Sequence, residues 1–134
     1  MTQDTALTEP GIVTKFSPRS VADTVSRLID LITAKGMKLF AVIDQSAEAK
    51  QARLQLRDTM LVIFGSPAAG RPVMAAHPLA ALDMPLKVLI WDDAGQTKIT
   101  YYATATLAAR HHLSADLAAK LAGIDPFTDT VITP

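Results

Sequence analysis

The chain has 134 residues, with 13 Lys or Arg against 13 Asp or Glu, 3 His and no Cys. One domain is the default at this length, and about two thirds of the unfolded surface can be buried, so no covalent staple is needed. The lack of cysteine excludes disulfides and thiolate metal sites. The balanced charge, with no block of one sign, argues against nucleic acid or an anionic membrane surface as partner.

In chain order, residues 1–10 read as a polar lead-in, 11–125 as the folded domain and 126–134 as a tail. Ile12–Phe16 predicts a first strand. Ser17-Pro18 predicts a helix start, with Ser17 as N-cap and Pro18 in the first turn. Val21, Val25, Leu28, Ile29 and Ile32 recur at helical spacing, and Gly36 ends that helix. Met37–Ile43 reads as a strand. Asp44-Gln45-Ser46 then caps a short helix over Ala47–Leu54. The most apolar stretch follows. Met60–Phe64 and Leu86–Trp91 are short runs of branched and aromatic residues bounded by turn residues, the pattern of buried strands. Between them, Ala68–Leu82 opens with Gly70-Arg71-Pro72 and predicts a helix with Pro72 in its first turn. His77-Pro78 should interrupt it, because the residue before proline is pushed out of the α region. Asp92-Asp93-Ala94-Gly95 turns the chain into Gln96–Tyr102, an alternating strand, so this pair is an antiparallel hairpin. Thr106 then caps Leu107–His112, Ser114 opens a last helical turn that Gly123 closes, and Asp125-Pro126 ends the regular structure. The order is approximately βαβαβαββα. The fold class is α+β, a mostly antiparallel sheet packed on helices.

Alternation places Leu86, Val88 and Ile90 on one face of a strand and Lys87, Leu89 and Trp91 on the other. Both faces are therefore apolar, whereas a sheet covered on one side should carry a polar outer face. Helices of the same chain, a second subunit or a ligand must cover the second face.

Phe64-Gly65-Ser66-Pro67-Ala68-Ala69-Gly70-Arg71 runs from a strand into a helix start. Such a turn can hold an anion, with Ser66, Gly70 and a forked contact from Arg71, or can simply connect. It lacks the Gly-Lys-Ser/Thr ending of a phosphate-binding P-loop. Asp44 with Ser46 reads as a helix cap before it reads as a polar binding pair. Asp92 and Asp93 suit turn geometry rather than acid–base partnership. His77, His111 and His112 lack ligand spacing, so no metal site is expected. Trp91, Tyr101 and Tyr102 form either an aromatic patch for a partner or ordinary cross-strand packing.

Several blocks resemble one family: Ile43-Asp44-Gln45-Ser46-Ala47-Glu48-Ala49, Val62 to Pro67, Gly70 to Met74, Leu82 to Asp93, and Leu107 to His111. In this order they are similar to the DUF302 family, over about residues 11–125. The resemblance implies a small bacterial or archaeal α+β domain of the TT1751-like type, a curved antiparallel sheet packed on helices, and a homodimer. It implies no established activity and no catalytic residues. Many relatives carry His where this chain has Gln45, which weakens acid–base or metal chemistry at that turn.

The expectation is a non-enzymatic homodimeric domain that binds a small molecule, anionic or apolar, or a protein partner. The alternatives are a small enzyme with a site near Asp44, Ser66 and Arg71, and a purely structural module. No cofactor, nucleic acid or membrane partner is implied. No run approaches the ~20 apolar residues of a membrane span, and residues 1–11 lack a signal-peptide pattern. The protein is expected in the cytoplasm, or exported with its leader removed.

Overall fold

Strand alternation and turn chemistry build the sheet in this computed structural model, which describes residues 11–134. Its strands are β1 (Ile12–Ser17), β2 (Lys38–Asp44), β3 (Thr59–Gly65), β4 (Leu86–Asp93) and β5 (Gln96–Tyr102). They lie in the order β1-β5-β4-β3-β2, and every neighbouring pair is antiparallel. The β4–β5 hairpin turns on Ala94 (φ 52°) and Gly95 (φ 93°). Positive φ at both central residues matches the twist of the flanking strands.

The helices are α1 (Val21–Ala34), α2 (Gln45–Gln51), α3 (Pro67–Ala76), α4 (Thr104–His111), α5 (Ala115–Ala119) and α6 (Ile124–Val131), with a 3₁₀ segment over Pro78–Asp83. Helix α1 starts later than the sequence suggests. Ser20, not Ser17, accepts from the Asp23 N–H as N-cap. Ser17 ends β1, and its buried hydroxyl hydrogen-bonds that of Thr24 at 2.7 Å. The Gly36 stop holds, with φ 70° just past the helix. Helix α3 also begins earlier than expected: Pro67 occupies its first turn and Pro72 lies inside it. Its end before His77-Pro78 follows the predicted interruption. Helix α4 has no side-chain cap. Thr106 instead donates to the Gly11 carbonyl at 3.2 Å.

The largest correction is at the C-terminus. Residues expected to be a tail beyond Asp125-Pro126 form α6, and Ile124, Phe127, Thr128 and Val131 are buried on one of its faces. Pro126 sits in the first turn, where a missing N–H costs little. Arg19 and Arg27 clamp the far end, each donating to the Val131 carbonyl at 3.0 Å.

The core lies between one sheet face and helices α1 and α6. Val62, Phe64, Val88, Ile90, Ile99 and Tyr101 from the sheet join Val25, Leu28, Ile32, Phe127 and Val131. Burying each such aliphatic side chain contributes about 1.5–3 kcal/mol. A second cluster of Val73, Ala80, Leu107 and Leu121, with Leu117 of α5 packed against it, ties α3, the 3₁₀ segment, α4 and α5 together beyond the strand ends. No residue of the opposite sheet face belongs to the described core clusters. Register places Ile43, Leu61, Leu89 and Thr100 there in one row across the strands. Phe16 is 55% and Tyr102 47% exposed on that side. The sheet is thus layered with helices on one face, and the other is left open by them.

Candidate functional site

The two central strands end where the helical layers part. Phe64 pairs with Leu86 across β3 and β4 and forms the floor of a cavity of about 650 Å³. From the floor the chain turns at Gly65, and Ser66 caps α3 through the Ala69 N–H. The end of α1 supplies Lys35 and Met37 to one wall, and α3 supplies Ala69, Gly70 and Met74 to another. Met84-Pro85, a cis peptide, enters from the strand side, and Lys120 and Leu121 just past α5, with Gly123, Ile124, Pro126, Phe127 and Thr130 at α6, close the site. Phe40 reaches it from a β-bulge in β2, where the register shifts between Leu39 and Ala41. A bulge of this kind re-aims a side chain that strict alternation would send elsewhere. The Phe64 and Phe127 ring centroids lie 5.5 Å apart at its base.

The chemistry of the wall is simple. Phenylalanine, methionine, leucine and isoleucine side chains make most of it. Ser66 and Thr130 bring hydroxyls, and Lys35 and Lys120 are the only charged groups of the lining among the described residues. The carboxylates of α6 are engaged elsewhere. Asp125 accepts from the Tyr101 hydroxyl, and Asp129 pairs with Lys15 at 2.8 Å. Gly70 is buried at the wall, and a Cβ there would meet the flexible end of Met84 at 2.9 Å.

The candidate residues do not converge on one place. Ser66 and Gly70 line the cavity. Arg71 is exposed on α3 and outside the lining, so a forked anion contact there has no cavity to serve. Asp44 caps α2, accepting from the Ala47 N–H at 2.8 Å and the Ser46 hydroxyl at 2.7 Å. Those two bonds, Ser46 first, hold its carboxyl below the ordinary carboxylate range. Asp44 faces Met60 at one end of β3, while Gly65 faces Lys38 at the other. Ser66 and Asp44 are therefore a strand length apart, about 20 Å, and form no joint site.

The aromatic patch is divided by the sheet. Trp91 lies on the open face and its indole N–H donates to Thr100 at 3.0 Å. Tyr102 is on the same face, in register with Ile12. Tyr101 points into the core, bonded to Asp125 and Thr128. Burial raises the Tyr101 phenol above its ordinary value, and donation to Asp125 adds to it. Burial opposes the charge on Lys15, but its contacts with Asp129 and Tyr101 outweigh that and raise its pKa.

Two other charged clusters are structural ties. Asp83 joins the 3₁₀ segment to α4, with Arg110 at 2.9 Å and His111 at 2.6 Å. Burial works against the Asp83 carboxylate, yet these two donors prevail and hold its pKa below the ordinary range. Lys98, only 2% exposed, pairs with Asp93 between the rings of Trp91 and Phe16. Asp92 accepts from the Gly95 N–H in the hairpin turn, so the adjacent aspartates serve the turn and the lysine. Among the described residues no group of three or more His, Cys, Asp or Glu side chains is placed to hold a metal.

Sequence reasoning missed Lys35, Met37, Met74, Met84, Lys120 and Phe127 as site residues. The three methionines are scattered in sequence, and nothing local announces that they meet. Only α6 had a readable signal, since Ile124, Phe127, Thr128 and Val131 follow helical spacing.

Fold and site together define a small α+β domain, an antiparallel sheet with helices on one face and an apolar cavity at the strand ends. The chain belongs to the family described as domain of unknown function DUF302, whose model matches residues 13–128. A crystal structure titled uncharacterized conserved protein DUF302 from Bacillus stearothermophilus is similar, with a TM-score of 0.78 at 15% identity. That likeness covers 92% of this chain and 97% of the other, and shows the fold. The Fluoride-specific ion channel FluC 1 of Brucella suis biovar 1 is 38% identical over 118 residues, which is 86% of this chain and 46% of that protein. The FluC 1 of Brucella abortus biovar 1 is also 38% identical, over 44% of its length. The chain thus spans less than half the length of these curated relatives. No helix among the described residues is long and apolar enough to cross a membrane.

Proposed function

We infer that this domain is a non-enzymatic binding module that holds a small molecule in the cavity at the ends of β3 and β4 and works as a homodimer. The observation that carries the reading is the cavity itself. Its volume of about 650 Å³ falls within the ~300–1,000 Å³ of small-molecule sites. Among the described residues its lining has no Asp, Glu, His or Cys, so none of these stands beside the Ser66 hydroxyl in that lining. That composition favours binding over acid–base or nucleophilic catalysis. The separation of Asp44 from Ser66 and the outward position of Arg71 remove the support for an enzyme built on those three residues. The test is Ala69→Trp, which places an indole in the cavity from a helix position. Screening wild type against a small-molecule library by thermal shift should yield ligands that no longer stabilise the variant. Equal stabilisation of both proteins would contradict the cavity as the site.

The homodimer is supported by the open sheet face. Ile43, Ile63, Leu61, Leu89 and Trp91 give it an apolar centre that the described helices leave uncovered. Five strands about 4.8 Å apart present roughly 500 Å² in projection. A standard interface needs about 800 Å² per partner, so the rim around Phe16 and Tyr102 would join it. Leu89→Lys should convert a dimer to a folded monomer, as read by light scattering and circular dichroism. A dimer that survives this substitution would place the interface elsewhere.

The curated relatives suggest a second reading, in which the domain is an accessory module of a channel. Conducting fluoride is named for proteins more than twice the matched length, and an apolar cavity does not suit a small, strongly hydrated ion. The accessory role is compatible with ligand binding and adds no fluoride site here.

A further inference from the structure

We propose that the ligand of this cavity is a single-chain amphipathic anion, an acyl or alkyl tail ending in a carboxylate or phosphate. The inference rests on the binding reading above and names its ligand class. Two independent features of the lining specify the two halves of such a molecule. Phe64, Met74, Met84, Leu86, Leu121 and Phe127 offer a tail only apolar contacts. Methionine side chains suit a flexible chain, because their unbranched thioethers repack around an irregular shape.

The head group is specified by charge. Lys35 comes from the end of α1 and Lys120 from the end of α5, and both line this one cavity. Neither has a carboxylate partner among the described ion pairs. The nearby acids of α6 are held away from the cavity, Asp125 by Tyr101 and Asp129 by Lys15. The chain as a whole carries no net charge, so two cations with no anion among the described residues of one apolar lining are a local asymmetry. Both lysines are solvent-exposed, which places the anionic head at the mouth and the tail within. A head group at the mouth keeps its remaining hydration while the tail is desolvated. Ser66 adds a hydroxyl donor to the same lining, while the Thr130 hydroxyl donates to the Pro126 carbonyl at 3.1 Å. A neutral apolar ligand would leave the lysines without a role, and a compact hydrophilic anion would leave the apolar wall without one.

The experiment measures binding of four probes to the full chain by isothermal titration: dodecanoate, octanoate, dodecyl phosphate and dodecanol. The same series is run on Lys35→Gln/Lys120→Gln, whose surface positions leave the core untouched, and circular dichroism verifies that fold. Dodecanoate or dodecyl phosphate should bind one per protomer, and the tighter of the two identifies the head group. Lengthening the chain should gain roughly fourfold per added methylene buried. The double variant should lose about tenfold for the anions while its affinity for dodecanol stays unchanged. Equal binding of dodecanol and dodecanoate, with no loss in the variant, would overturn the anion assignment and leave the cavity as an apolar site. No binding of any probe to wild type would overturn this ligand class. The binding reading itself fails separately, if the Ala69→Trp comparison finds no ligand that distinguishes the two proteins.

Discussion

Removing one side chain of the C-terminal helix tests whether α6 is part of the domain. Phe127 is 8% exposed and its ring centroid lies 5.5 Å from that of Phe64. Phe127→Ala deletes a ring that joins the main core, and such truncations cost about 3–5 kcal/mol. One side of this ring borders the cavity and lacks packing partners there, so the lower end, about 3 kcal/mol, applies. Domains of this kind are stable by about 5–15 kcal/mol. The loss should therefore lower the melting temperature by roughly 10–15 °C, at about 4 °C per kcal/mol for this size. Leu79→Ala is the matched control, since Leu79 is 73% exposed and its loss should stay within about 0.5 kcal/mol. Urea unfolding followed by circular dichroism gives both numbers. A Phe127→Ala protein within about 1 kcal/mol of wild type would refute the placement of α6 in the core.

Two further substitutions probe local physics. Ala94 holds a left-handed conformation at φ 52°, which costs an alanine about 1 kcal/mol; Ala94→Gly should raise stability by about 0.5 kcal/mol, the rest being lost to unfolded-chain entropy. The urea midpoint should rise with an unchanged slope, and a fall would contradict the turn geometry. Tyr101 and Lys15 both titrate above their ordinary values of 10.0 and 10.5. The folded state thus holds these protons more tightly than the unfolded state. Their stabilisation is complete below those values and drains as pH rises through the higher folded ones. Stability should therefore fall steeply above about pH 10, and Tyr101→Phe should make that fall shallower. Parallel profiles for the two proteins would show that Tyr101 does not contribute.

Legibility in the sequence followed how local each signal was. Met60–Phe64 and Leu86–Trp91 announced the central strands because all residues but Lys87 are apolar over a strand length. Asp-Asp-Ala-Gly announced the hairpin by turn chemistry, and the family blocks carried the rest of the α+β architecture. Ser17-Pro18 and Ser20 both satisfy a capping rule for the start of α1, and only strand pairing to Thr97 keeps Ser17 in β1. Pro126 hides helix α6 because Asp-Pro reads as a stop, although proline in a first turn is compatible with a helix. Residue type groups Tyr101 with Trp91 and Tyr102; alternation alone separates it from Tyr102. The site was the least legible part. Ser66 and Gly70 were found because a strand-to-helix turn marks itself. The remaining wall comes from α1, β3, α3, β4, α5 and α6 or their flanks and from a bulge at Phe40, and such convergence leaves no trace in local pattern.

The central claim is that this domain is a dimeric holder of a small molecule. Native mass spectrometry of protein purified without detergent or organic solvent reads both properties at once. The account predicts a dimer carrying one defined extra mass per protomer, released on mild activation and absent from Ala69→Trp. A monomer with no adduct, or an adduct retained equally by Ala69→Trp, would contradict it.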